Sequence, residues 1–286
     1  MPELPEVETM RRTIAGCVGT QVAAVERCPC PRKPILVSPR IDHLRRRLVG
    51  RTIVGTGRAG KRVVVQFDSD DKLVLEPRMT GLVLVADPPS AEHLRLRIGL
   101  DSGGRVVRDG TAASQLLYWD RRGLGSVRLF RPDEFAAAFG PEKLGPDGLD
   151  VTGPLLREKL GKSRRAIKVA LLDQRAVAGI GNIYASEILH VVHIDPRKRC
   201  DRISKTDWQR IADATLEVLH EAIRCEGSTL GDGTYRNALN QEGTYQNLHR
   251  VYGRAGEVCP SCSDGEIRQV VQAQRSTFFC PACQRR

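Results

Sequence analysis

The chain has 286 residues, 41% of them hydrophobic, which is enough for two cores of ordinary size and a small appendage. Lys and Arg outnumber Asp and Glu by 45 to 34, a formal charge of +11, so a polyanionic partner is expected, with nucleic acid ahead of anionic lipid. No run approaches the ~18 apolar residues of a membrane span and the C-terminus carries no prenylation signal, which leaves no place for a membrane partner.

The chain opens Met1-Pro-Glu-Leu-Pro-Glu-Val-Glu8, acidic and broken by proline. That is the opposite of a basic-then-apolar export signal, so a cytoplasmic protein is expected. Val7, Met10 and Ile14 at helical spacing, with Glu6 and Glu8 in the first turn and Gly16 as a stop, predict one short amphipathic helix over residues 5–16, where Glu6 and Glu8 serve as helix-start charges. From about residue 20 to 130 the pattern changes to short apolar runs: 52–55, 63–67, 73–75, 82–85 and 94–100. In the last, Leu94-Arg-Leu-Arg-Ile-Gly-Leu100, apolar and basic residues alternate, which predicts a strand with one apolar and one basic face. Repeated short strands punctuated by Gly, Asp and Pro predict a β-sandwich or barrel, interrupted by helices near Ile41–Leu48 and Glu134–Phe139.

The Gly- and Pro-rich segment from Gly140 to Pro154 breaks both periodicities and is read as a domain boundary. Beyond it, helices are predicted over Leu155–Leu160, Ala166–Asp173, Asn182–Val192 and Thr206–Arg224, with Ser204 and Asp207 as a capping box for the last. Residues 151–210 carry 13 Lys or Arg against six Asp or Glu, marking a basic contact surface. The expected fold class is thus α+β: a sandwich domain over 1–135, a helical domain over 136–250 and a C-terminal segment over 251–286.

That last segment contains Cys259-x2-Cys262 and Cys280-x2-Cys283, the spacing of a closed tetrahedral site for one structural zinc ion. Two redox pairs would need a thioredoxin-like strand-helix context that is missing here. The remaining cysteines, Cys17, Cys28, Cys30, Cys200 and Cys225, have no second knuckle and read as buried inert thiols. His190, His193 and His220 lie in helical segments and are read as core or surface residues, not ligands.

Three motifs carry a resemblance. Pro2-Glu-Leu-Pro-Glu-Val-Glu-Thr9, Gly179-Ile-Gly-Asn-Ile-Tyr-Ala-Ser-Glu187, and Val251-Tyr-Gly-Arg254 ahead of the four cysteines together resemble the bacterial formamidopyrimidine-DNA glycosylases, bifunctional enzymes acting on oxidised purines in duplex DNA. The resemblance implies a β-sandwich, a helix-two-turn-helix domain and a zinc ribbon. It also implies that Pro2, freed by removal of Met1, is the nucleophile, that Glu3 is the acid/base carboxylate, that Lys61 assists β-elimination and that Arg275 grips phosphates and assists δ-elimination. Met79, Arg122 and Leu124 match the void-filling trio, with leucine where many relatives carry phenylalanine. Asn182 and Tyr184 match a phosphate-contacting turn, and the basic cluster with Arg164 and Lys168 is expected to add less selective phosphate contacts. His93 stands alone where many relatives have His-x-His, so one phosphate contact is missing. Residues 109–115 look like an insertion that either lengthens a hairpin or alters damage preference, and a base-recognition loop is expected within Leu230–Gln246. The implied partner is damaged double-stranded DNA, bound by a monomer. Two other functions remain open: a non-catalytic module that binds distorted duplex, and a glycosylase for oxidised pyrimidines.

Overall fold

The computed structural model describes residues 2–107 and 109–286, which divide into two compact units, Cys225–Thr244 clustering with the residues up to Gly140. The sequence reading had placed that segment with the helices.

The first unit begins with helix α1 (Leu4–Ile14), with Pro5 in its first turn, where a missing N–H costs nothing. Leu4, Val7, Met10 and Ile14 recur at helical spacing and are 1% exposed or less. Strands β1 (Gln21–Arg27) and β2 (Leu36–Ser38) follow, then helix α2 (Ile41–Leu48), which has the predicted bounds. The remaining strands are β3 (Ile53–Arg58), β4 (Val63–Phe67), β5 (Lys72–Glu76), β6 (Gly81–Leu84), β7 (Leu94–Asp101), β8 (Gln115–Asp120) and β9 (Ser126–Phe130), before helix α3 (Pro132–Phe139). They form a four-stranded sheet, β1-β7-β8-β6, and a five-stranded sheet, β2-β9-β5-β4-β3. Apolar side chains of both sheets and of α1 share one core, the expected sandwich.

Strand β7 departs from the predicted two-faced pattern. Arg95 is 3% exposed, because the β7–β8 register shifts between Leu94 and Leu96 and turns its side chain inward. Its guanidinium donates to Asp120 O at 2.8 Å and to Lys33 O at 3.0 Å. Residues 109–115 run through the connection between β7 and β8 into the first residue of β8, and in that connection Val106 and Ala112 pair and Val107 and Ala113 are buried.

Cys225–Thr244 contains no helix or strand, yet it is well anchored. Tyr235 is 4% exposed within the sandwich core, and Val85 N–H donates to Ala238 O at 2.9 Å.

The second unit consists of α4 (Gly153–Leu160), α5 (Ile167–Leu171), α6 (Asn182–Val191) and α7 (Lys205–Arg224), followed by a hairpin of β10 (Arg268–Gln272) and β11 (Arg275–Phe279). Ser204 caps α7 by accepting from Asp207 N–H at 3.0 Å. In the hairpin, Ala273 and Gln274 both have positive φ, 46° and 61°, the backbone of a two-residue I′ turn, which sets Arg275 at its tip. No described helix is long and apolar enough to cross a membrane.

Candidate active site and nucleic-acid interface

Three glutamates in the first eight residues, Glu3, Glu6 and Glu8, are 1%, 1% and 6% exposed. Carboxylates are seldom buried so densely without a task. The structure keeps Glu6 as a helix-start charge, the N3 partner of a capping box with Glu3, and corrects that reading only for Glu8, which lies beyond the first turn of α1. Glu6 accepts from Glu3 N–H at 2.8 Å through one oxygen and from Ser228 N–H at 2.9 Å through the other, so it ties the start of α1 to the 225–244 segment. Glu8 accepts from Arg11, Arg12 and Arg58 at 2.8–3.2 Å. Burial works to raise its pKa, but these guanidiniums outweigh it and hold the carboxyl down at about 2. Arg58 also donates to Gly60 O at 3.1 Å, which pins the turn carrying Lys61, two residues ahead of β4, to α1. Pro2 is buried just before this helix, so Pro2 and Glu3 stand at its start, while the Lys61 turn is tied to its second turn through Arg58 and Glu8.

Met79 sits in the β5–β6 turn, Arg122 and Leu124 in the β8–β9 turn. Met79 and Leu124 are each 38% exposed, so neither is spent in the core. One buried carboxylate that the sequence reading missed joins the two turns. Asp120, 0% exposed, accepts from Thr80 Oγ1 at 2.6 Å, Arg122 N–H at 3.2 Å and Gly125 N–H at 2.8 Å. Gly125 must be glycine, since an added Cβ would lie 1.7 Å from the Tyr118 hydroxyl. Tyr118 in turn donates to Glu76 O at 2.6 Å. His93 does not join this group: its side chain is 13% exposed and packs edge-on against Trp119 at 5.3 Å, largely enclosed in the sandwich.

In the second unit Lys168 proves to be buried, at 1% exposure, which corrects the expectation of a surface phosphate contact. Its ammonium donates to Asn182 Oδ1 at 2.8 Å, Ser276 O at 3.0 Å and Thr277 Oγ1 at 2.7 Å. Asn182 Nδ2 donates to Ser276 O at 3.0 Å. Lys168 therefore gathers α5, the first residue of α6 and the strand that starts with exposed Arg275. Gly181, ahead of α6, has no side chain to screen the helix N-terminus, whose amides suit an anion. Tyr184 can offer a phosphate only its backbone, since its ring is 0% exposed and lies 5.7 Å from Tyr245. Arg164 is exposed, apart from this cluster.

Two of the sequence motifs meet. Glu187, 0% exposed, accepts from the backbone N–H groups of Arg250, Val251 and Tyr252 at 2.8, 3.0 and 2.8 Å, so the Glu closing the Gly179 motif holds the Val251 motif. Burial raises its pKa while these three donors pull the other way.

The four ribbon cysteines converge, with all Sγ atoms within 4.8 Å of one another. The separations Cys259–Cys283 and Cys262–Cys280 are 3.9 and 3.7 Å, against an edge of about 3.8 Å for a tetrahedron with Zn–S bonds of ~2.3 Å. A Cβ on Gly265 would come within 2.4 Å of Cys280 Sγ, so the knuckle leaves room for metal-bound sulfurs and nothing more. The residues present fit one structural zinc ion.

Comparison with known proteins agrees along the whole chain. Residues 1–127 match the formamidopyrimidine-DNA glycosylase N-terminal domain, 140–233 the H2TH domain of those enzymes, and 256–286 the zinc finger found in FPG and IleRS. The formamidopyrimidine-DNA glycosylase of Chloroflexus aurantiacus is 37% identical over 99% of this chain and 98% of its own, and that of Rhizorhabdus wittichii 39% identical over the full length of both. Among solved structures, Lactococcus lactis Fpg with an abasic site containing DNA superposes with a TM-score of 0.84 at 35% identity, covering 99% of this chain and all of the other. A mutant of the same enzyme with a Fapy-dG containing DNA gives a TM-score of 0.85 at 34% identity over both chains in full.

Proposed function

Because the chain belongs to the formamidopyrimidine-DNA glycosylase family and is therefore a DNA glycosylase with a zinc finger, we propose that it excises oxidised purines from damaged double-stranded DNA in base excision repair and then cleaves the strand as an abasic-site lyase. By role, 1–135 is the catalytic domain, 136–250 the DNA-binding domain and 251–286 the zinc ribbon. It works as a monomer in the cytoplasm, on the nucleoid.

Met79, Arg122 and Leu124 fill the gap left when the damaged nucleotide is extruded, at a cost of a few kcal/mol of lost stacking. With Met1 removed, the Pro2 nitrogen is an α-amine, a class with a pKa of ~8, so a usable fraction carries a free lone pair near neutrality. That lone pair forms a bond to the sugar C1′ as the bond to the base breaks, the nitrogen's proton leaves with the base, and the C1′–O4′ bond then opens as Glu3 protonates O4′. The resulting iminium nitrogen, being secondary in origin, has no proton to lose and stays an electron sink. Loss of a C2′ proton then expels the 3′ phosphate, a step Lys61 assists. A second elimination, with Arg275 holding phosphate, expels the 5′ phosphate. Asn182 and the α6 amides bind backbone phosphates, with Arg164 adding charge.

The observation that supports this reading most is the buried Pro2-Glu3 pair at the start of α1, which a pure DNA binder has no use for. Lactococcus lactis Fpg has also been solved with an oxidised pyrimidine containing DNA, which favours a second, broader reading in which the pocket admits pyrimidine lesions too. Borohydride added during reaction with an 8-oxoguanine duplex is expected to trap a covalent protein–DNA adduct that Pro2→Gly sharply reduces. No adduct from zinc-loaded, Met1-processed protein would leave the chain a DNA-binding module.

A further inference from the structure

Helix α6 carries a further tie to the ribbon that the repair reaction does not use. His190 Nε2 lies 3.4 Å from Cys259 Sγ, and both residues are 0% exposed. His190 Nδ1 is buried and has no hydrogen-bond partner among the described residues. These two facts select the tautomer. A proton on Nδ1 would be a buried donor without an acceptor and would aim the Nε2 lone pair at sulfur. With the proton on Nε2, the N–H is satisfied by sulfur and only an acceptor goes unused.

We propose that His190 is a positioning residue of the zinc site, donating its Nε2–H to the Cys259 thiolate and so slowing metal loss. The charge balance gives the reason. Four thiolates carry two more negative charges than one Zn²⁺ neutralises, and a donor to sulfur spreads that excess. The sulfurs are not equally served by solvent. Cys262 and Cys283 are half-buried and open on a cavity of about 620 Å³ also lined by Lys198, Arg210 and Arg285, whereas Cys259 is enclosed and depends on a donor from the protein. Helix α6 then holds the ribbon at three points, through Asn182 on Ser276 O at its first residue, Glu187 on the Val251 and Tyr252 amides, and His190 on Cys259 in its last turn. No signal in the sequence marked His190, which reads as one more residue on a buried helix face.

The test compares the full chain as wild type, His190→Phe and His190→Gln, loaded first with Co²⁺ and then with Zn²⁺. A donor to a coordinating sulfur lowers the sulfur lone pairs, so the thiolate-to-cobalt charge-transfer band lies at higher energy with the donor present. His190→Phe is expected to move the band to longer wavelength and to transfer zinc to excess EDTA about tenfold faster. His190→Gln, which keeps an N–H at similar reach, is expected to return both towards wild type. An unshifted band in folded His190→Phe, or a glutamine variant that loses zinc as fast as the phenylalanine one, overturns the proposal. Should the phenyl ring prevent folding, the smaller His190→Leu makes the same comparison. The readouts are spectral and metal-exchange rates, so they stand apart from whether the chain repairs DNA.

Discussion

In the sandwich, a buried charge that holds outward-facing turns is Asp120, and the donors to its carboxylate lie in the two turns it organises, no more than 40 residues away in sequence. In the helical unit it is Lys168, which reaches 108 and 109 residues along the chain to Ser276 and Thr277, inside a ribbon whose own core is only Val251, Ile267, Phe278 and two cysteines. The sandwich therefore shapes the turns of Met79 and Leu124 by itself. The Asn182–Arg275 surface needs the ribbon folded, and hence needs zinc.

Metal removal should separate the two most sharply. Chelation, or Cys259→Ser, is expected to unfold the ribbon and abolish tight DNA binding while the sandwich keeps its β-sheet circular dichroism; loss of sheet signal together with zinc would break the distinction. Asp120→Ala leaves the Thr80 hydroxyl and the Arg122 and Gly125 amides without their acceptor, for an expected loss of about 3 kcal/mol by denaturant titration with zinc affinity unchanged. Lys168→Met should cost about 2 kcal/mol and, unlike Asp120→Ala, should weaken zinc retention, because its partners Ser276 and Thr277 belong to the ribbon.

A pH effect of similar size is expected in the helical unit. His249 is 6% exposed, and burial, helped by the charge of Arg254, holds its pKa down at about 4 from 6.5. The unfolded chain binds the proton more readily, so the stability from neutral His249 is complete above pH ~6.5 and is lost as pH falls towards 4, about 2 kcal/mol by pH 5. Thermal melts from pH 7.5 to 5 should show this slope, and His249→Gln should make it shallower. The smallest effect is expected from Arg164→Ala, a few-fold loss of duplex affinity with a salt slope shallower by about one; a loss that depends on the lesion would contradict a plain phosphate contact.

Much of this fold could be read from residue patterns. Helix α2 and strand β4 have the predicted bounds, since each shows a clear period or a dense apolar run between polar turns. Strands β1 and β8 went unread for opposite reasons. A bulge between Val22 and Ala24 breaks the alternation in β1, while β8 is buried along nearly its whole length and shows no alternation at all. The zinc ligands announce themselves by spacing. Asp120, Lys168, Glu187 and His190 do not, because the charge or polarity of each is matched by groups that only the folded chain brings near. Glu187 leaves a faint trace as a lone acid on an otherwise apolar face with Ile183, Tyr184 and Ile188.

Catalysis through the nitrogen of Pro2 is the claim on which the functional account rests, and peptide mapping of the borohydride-trapped complex tests it directly. Tandem mass spectrometry of the digested adduct should find the deoxyribose remnant on the peptide beginning at Pro2, attached to its ring nitrogen. A remnant on the Lys61 peptide, or on any other lysine, would contradict it.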